Sequence, residues 1–234
     1  NLVQLFESMP VTVGPDQPSP FENRTQVLVQ ILTLLQDART QLQTTPPSEV
    51  FNNQILAPGF NLPNTIDAMT ARYALIAGNY ELALQAAQRV SPTVFSVFQF
   101  TATDPNPLWD LWYNSGGAYV MRPEQAFRLQ AEAGDRRVAY WVRADTVTGA
   151  NGKLDDLNRY RERADLIPAY MPDEMKLIQA EAYARTGRLP QARTLVNAVR
   201  TQCTSAVAEP VACLPALSDA ELGTAAAVLA EIYK

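Results

Sequence analysis

The residues with the most chemistry to offer are gathered in Asn106-Pro-Leu-Trp109-Asp110-Leu-Trp112-Tyr113-Asn114-Ser-Gly116-Gly117, with Trp141 as the remaining tryptophan. Flat rings with polar edges stack against cyclic ligands, and the interleaved Asp110 and Asn114 supply hydrogen-bonding groups beside them. Such chemistry is recognition, not turnover. The alternative is that the tryptophans pin a long irregular segment onto a helical core; Trp141, in the strand-like run Val138-Ala-Tyr-Trp-Val142, fits that role too. Histidine is absent, so Ser-His-Asp triads, imidazole acid–base catalysis and imidazole zinc sites are excluded. Carboxylate chemistry is compositionally open, but nothing in the sequence sets two carboxyls opposite each other. Asp145, Asn151-Gly152 and Asp155-Asp156 miss the spacing of a calcium loop and read as a solvated turn. Arg159-Tyr-Arg-Glu-Arg-Ala-Asp165 alternates in sign and reads as a salt-bridged surface. Glu181 sits in a helical run and reads as a structural partner of the backbone or of Arg200. No catalytic residue, metal site or cofactor is expected.

These residues need a scaffold, and its clearest signature is a repeat. Ala71-Arg-Tyr-Ala-Leu-Ile-Ala-Gly78-Asn-Tyr80-Glu-Leu-Ala83 and Ala180-Glu-Ala-Tyr-Ala-Arg-Thr-Gly187-Arg-Leu189-Pro-Gln-Ala192 share the pattern G-x-[large apolar]-x-x-A. Gly78 and Gly187 fall where a helix ends in a left-handed residue, which glycine adopts readily. Tyr80 and Leu189 fill the crotch between the two helices, and Ala83 and Ala192 let them touch. This is the turn of a tetratricopeptide (TPR) hairpin, and stacked hairpins make a binding protein more often than an enzyme. The expected fold is all-α: TPR-like helical hairpins packed as an α-solenoid with a long irregular insert.

Along the chain, Pro10, Pro15, Pro18 and Pro20 forbid regular structure at the entry. Val27, Ile31, Leu34, Leu35, Ala38 and Leu42 recur at helical spacing and predict a long helix from Asn23 to about Gln43. The first hairpin is expected over 64–90, and the second over 173–202, entered through Pro172 with Asp173 and Glu174 in its first turn. Between them lies the insert, with one helix expected at 123–133. Ser218-Asp-Ala-Glu221 reads as a capping box opening a last helix. The organisation expected is one domain over 1–234, divided into helices and a first hairpin (21–90), an aromatic-rich insert (91–168), and a second hairpin with a C-terminal helix (169–234).

Composition narrows the classes of function. With 47% apolar and 18% charged residues the chain is globular. Its net charge of −5 and scattered lysines (Lys153, Lys176, Lys234) argue against nucleic acid. No apolar run approaches the roughly 20 residues of a membrane span. Cys203 and Cys213, in a small-residue loop containing Pro210, favour a disulfide worth roughly 2–3 kcal/mol over two unrelated thiols, and with it an oxidising compartment. The chain starts on Asn1 without a methionine and ends inside a helical pattern, so it is expected to be a piece of something longer.

Met175-Lys-Leu-Ile-Gln-Ala-Glu-Ala-Tyr-Ala-Arg-Thr-Gly-Arg, followed by Ala192, Leu195, Asn197, Val199 and Arg200, resembles the signature of the SusD/RagB family. Its members show L-x-x-A-E-A-x-x-x-x-G and then A-x-x-x-[LV]-N-x-V-R. Gly134-Asp-Arg-Arg-Val-Ala-Tyr-Trp, the segment from Cys213 to Leu222, and the helix from Asn23 to Leu42 are similar to further family segments. The resemblance implies a lipoprotein on the extracellular face of the outer membrane, without catalysis. It implies a SusC-like TonB-dependent transporter as partner, an oligosaccharide or peptide as ligand, and a lipid anchor outside this window. Sugar rings present apolar C–H faces, which makes Trp109, Trp112, Tyr113 and Trp141, with Asp110 and Asn114, the candidate glycan-contacting residues. A TPR-type structural subunit of a larger extracytoplasmic complex is the competing expectation.

Overall fold

The computed structural model describes residues 2–11, 20–94, 96–114, 123, 125–149, 152–205 and 210–234. Pro15, Pro18, Gly116, Gly117 and Asn151, which enter the sequence reading, lie outside the described residues. In chain order the elements are α1 (Leu2–Leu5), β1 (Ser8–Pro10), β2 (Phe21–Asn23), α2 (Arg24–Thr44), α3 (Leu62–Ile76), α4 (Tyr80–Arg89) and β3 (Val97–Phe98). Then follow α5 (Pro107–Trp109), α6 (Gln125–Leu129), α7 (Arg136–Trp141), β4 (Val142–Gly149), β5 (Gly152–Leu157), β6 (Ile167–Pro168), α8 (Pro172–Arg185), α9 (Leu189–Arg200) and α10 (Ala225–Ile232). The strands form three antiparallel pairs, β1 with β2, β3 with β6 and β4 with β5. Helices dominate and carry the core, so the class is all-α as the sequence predicts.

The two predicted hairpins share one geometry. Gly78 and Gly187 have φ of +75° and +79°. The N–H of the following residue bonds five residues back in each copy, Asn79 to the Ala74 carbonyl at 2.9 Å and Arg188 to that of Tyr183 at 2.8 Å. That bond satisfies a carbonyl the helix end would otherwise leave open. A Cβ built at either glycine meets nothing within 4 Å, so the backbone angle alone selects glycine there. Ala83 and Ala192 are both fully buried.

Alanine explains how the helices stack. Ala68, Ala71 and Ala74 of α3 meet Ala83, Ala86 and Ala87 of α4, with Met175 and Ile178 of α8 and Tyr170 just before it closing the same core. A second core joins Ala180 and Ala184 of α8 to Ala192 and Val196 of α9, Leu222, and Val228 of α10. Small side chains let helix axes approach closely, and each hairpin packs on the next. Ion pairs lock the stack: Arg72 grips Glu174 through two bonds of 2.6 and 2.7 Å, and Asp67 accepts from Arg39 of α2 at 3.0 Å and Arg89 of α4 at 2.8 Å. Cys203 and Cys213 are joined in a disulfide with a Cα separation of 4.3 Å.

Several elements differ from expectation. The long helix is present with Asn23 as its cap; of its predicted stripe Val27 is buried and Ile31, Leu35, Ala38 and Leu42 are half-buried, while Leu34, 69% exposed, faces away. Val138 to Trp141 lie in α7, not a strand, because the Asp135 carboxylate caps that helix by accepting from the Arg137 N–H at 2.9 Å. The strand begins only at Val142, and the β4–β5 hairpin went unpredicted. The helix expected at 123–133 is confined to α6. Ser218 and Glu221 do exchange capping bonds, but these close a turn, and α10 opens later at Thr224, whose hydroxyl accepts from Ala227 N–H at 3.1 Å. Asp155 is no part of a solvated turn: it is 1% exposed, accepts from Arg128 at 2.9 Å, and is held below the ordinary carboxylate range chiefly by that bond.

Candidate functional site

The aromatic segment is built on one asparagine. Asn106 is fully buried, and its side-chain carbonyl accepts from the N–H groups of Leu108 at 2.8 Å and Trp109 at 3.3 Å, starting α5. Its amide donates to the Asp165 carbonyl, and its backbone N–H donates to that of Arg163, both at 2.7 Å. One side chain thus starts the turn bearing Trp109 and stitches it to the stretch 157–165. A π-helical turn, Asp110–Asn114, continues the backbone and carries Trp112 and Tyr113.

Arginines from that stretch lie against the rings. The Arg163 guanidinium sits 4.7 Å from the Trp109 ring centre and that of Arg161 4.7 Å from Tyr113. Arg159 lies against both Tyr140, at 4.4 Å, and Tyr160, at 5.1 Å. Tyr160 tilts onto Trp112 at 6.0 Å, and Tyr140 meets the edge of Trp141 at 5.0 Å. A chain of ring contacts therefore runs from Trp141 through Tyr140, Arg159 and Tyr160 to Trp112, with Trp109 and Tyr113 alongside. The run 159–165 is not the salt-bridged surface expected: among the described residues only Arg161 of its arginines meets a carboxylate, Asp156 at 2.9 Å. A guanidinium over a ring contributes roughly 0.5–2 kcal/mol.

The candidates differ in what they leave open. Tyr113 donates its hydroxyl to the carbonyls of Leu157, at 2.8 Å, and Arg159, at 3.2 Å, and burial pushes its ionisation up. It fastens the strip. Trp109 and Tyr113 each carry a guanidinium; no described guanidinium lies over Trp112 or Trp141. Asp110 and Asn114 are exposed and bonded to each other at 2.7 Å, which orients the amide beside the rings. Trp141 and Phe127 stand between a cavity of about 410 Å³ that also holds Glu132 and Arg137, and one of about 330 Å³ floored by Val142 and Leu157.

The carboxylates nearby serve the structure. Arg200, 5% exposed, donates to Glu132 and Glu231 and to the Pro215 carbonyl. Arg200 and then Lys234 hold Glu132 down to about 2, so it stays ionised and is no proton donor near neutrality. Glu181 pairs with Arg185 at 2.6 Å and the Tyr233 hydroxyl at 2.7 Å, not with Arg200. Among the described residues no three acidic or thiol side chains gather in an arrangement that would hold a metal. No helix among them is long and apolar enough to cross a membrane.

Comparison with solved structures places this architecture. A SusD superfamily protein from Bacteroides vulgatus aligns with 99% of the chain at a TM-score of 0.65 and 14% identity, over 60% of its own length. A SusD-like carbohydrate binding protein from the same species aligns with 92% at 0.62 and 15% identity, over 48% of its length. Surface glycan-binding protein A from Bacteroides uniformis aligns with 99% at 0.59 and 15% identity, over 61% of its length. The fold is that of the SusD superfamily. The chain spans roughly half to three-fifths of the length of these SusD-like structures. No protein-family model matches it, and neither does any curated protein. At these identities the likeness speaks for the fold alone.

Proposed function

We propose that the chain captures glycans at the cell surface for a TonB-dependent outer-membrane transporter of the SusC type, and that it does so without catalysis. The observation that carries this is the strip itself: Trp112 and Trp141 are half-buried rings over which no described guanidinium lies, on a surface whose remaining rings are fixed by arginines from one short stretch. Fixed rings lose little freedom when a sugar stacks on them, and preorganisation of that kind favours binding. Asp110 and Asn114 are exposed beside them to bond hydroxyls. The disulfide supports an extracytoplasmic location, and the SusD fold supports the outer membrane, a lipid anchor and the transporter as partner.

Titration of the intact protein with a panel of neutral and acidic oligosaccharides tests this reading. Binding should weaken about tenfold in Trp112→Ala. A panel with no binder, or binding indifferent to Trp112 and Trp141, would refute it. One observation favours a second reading, a structural TPR-type subunit: the guanidinium contacts already give Trp109 and Tyr113 a fastening role. Purification from membranes separates the two, since a capture protein brings a transporter and a structural subunit brings another stoichiometric assembly.

A further inference from the structure

The arginines of the strip carry an inference that rests on the glycan-binding reading and goes further, to the class of sugar. Every described arginine except Arg136, Arg159 and Arg163 has a carboxylate at ion-pair distance. Two of those three lie on the aromatic strip, in a chain whose acidic residues outnumber its basic ones. Arg163 is exposed over Trp109. Arg159 has its Nε buried without an acceptor. Of the acids close by in sequence, Asp156 is engaged by Arg161, Asp165 by the Glu162 N–H at 3.1 Å and Asp110 by Asn114, while Glu162 is exposed and meets neither Arg159 nor Arg163 at ion-pair distance.

A guanidinium stacked on a ring projects its N–H fork outward in its own plane, above the ring, where it can take both oxygens of a carboxylate. Trp109 and Trp112 are three residues apart on one helical stretch, α5 running on into the π-helical turn. A pyranose laid on Trp112 therefore brings a substituent within reach of Arg163. We propose that the strip selects carboxylate-bearing oligosaccharides, built of uronic acids, with the sugar face on Trp112 and the carboxylate on Arg163. Arg163 then determines specificity, while Trp112 supplies affinity to charged and neutral sugars alike.

The test uses matched ligands: galacturonate, glucuronate and mannuronate oligosaccharides and their methyl esters, titrated by calorimetry into the intact protein beside the neutral panel. At least one acid is expected to bind about tenfold more tightly than its ester. Arg163→Gln should abolish that preference and leave ester binding in place, Arg163→Lys should retain part of it, and Trp112→Ala should weaken both forms. Near-UV circular dichroism checks that the variants keep the strip. Equal binding of acid and ester, a preference that survives Arg163→Gln, or binding confined to neutral sugars would overturn the acidic assignment and leave the glycan reading standing. If no sugar of either kind binds, both fall together.

Discussion

The two halves of this architecture are held together by different physics. In the hairpins α3–α4 and α8–α9 the determinants are local: a glycine at positive φ, alanines at helical spacing, and one backbone bond repeated in both copies. In the strip over 106–163 no such period exists. A buried asparagine and a series of guanidinium–ring contacts join residues about fifty positions apart, Trp109 to Arg163 and Tyr113 to Arg161. A scaffold of the first kind repeats readily, whereas a surface of the second kind can change its ligand by exchanging single side chains without disturbing a helix. That division of labour suits a binding protein.

The sharpest way to break the comparison is at the joint. Arg200 ends α9, yet its guanidinium holds Glu132 from the insert and Glu231 from α10. Arg200→Met leaves partly buried carboxylates without their main partner and should lower stability by about 3 kcal/mol, read as a fall in the urea midpoint at neutral pH. The effect should depend on pH. Glu132 is held down to about 2 from an ordinary 4.5, so its contribution is complete above 4.5 and is lost as pH falls through 2. The gap between wild type and variant should therefore narrow on acidification between those values; a gap that stays constant would exclude Glu132 as the cause.

Asn106→Ala sharpens the contrast from the other side. It removes the cap of α5, leaving the Leu108 and Trp109 N–H groups without their acceptor and the Asp165 carbonyl without its donor, a loss of roughly 1–3 kcal/mol. Near-UV circular dichroism should change as Trp109 and Trp112 loosen, with far-UV helicity retained. Unfolding of α3–α4 and α8–α9 in parallel with the strip would mean that the two regions do not behave separately.

The sequence told much about one region and little about the other, for the same reason. The Gly78 and Gly187 turns, the entry to α8 through Pro172 and the disulfide are set by residues close in sequence and were readable, whereas the Ser218–Glu221 box closes a turn and leaves the opening of α10 to Thr224. The aromatic cluster was readable as a composition, but its arrangement was not: Arg159 to Arg163 alternate with other residues as a charged surface would, and only the fold shows that rings lie beneath them. Val138 to Trp141 fit a strand and a helix equally well until Asp135 is seen capping the latter. The β4–β5 hairpin does carry a sequence signal, the β-branched Thr146-Val147-Thr148 shortly before Asn151-Gly152.

The smallest effect tests whether the two hairpins are one device used twice. Gly78 and Gly187 have nearly equal φ and open space where a Cβ would stand. Gly78→Ala and Gly187→Ala should then each cost about 1 kcal/mol, from the left-handed backbone alone and with no clash to relieve. The two values should agree within a few tenths and add in the double variant, because a Cβ at either glycine meets nothing of the other turn. Asparagine, which tolerates this backbone better than alanine, should recover part of the loss at both positions. Equal penalties would mean that the local turn sets the energy. If Gly187→Ala proved much the more damaging, the second turn would be answering to its surroundings, where Arg188 reaches Glu81 of the first hairpin at 2.6 Å, and the scaffold would share the long-range dependence of the strip it supports.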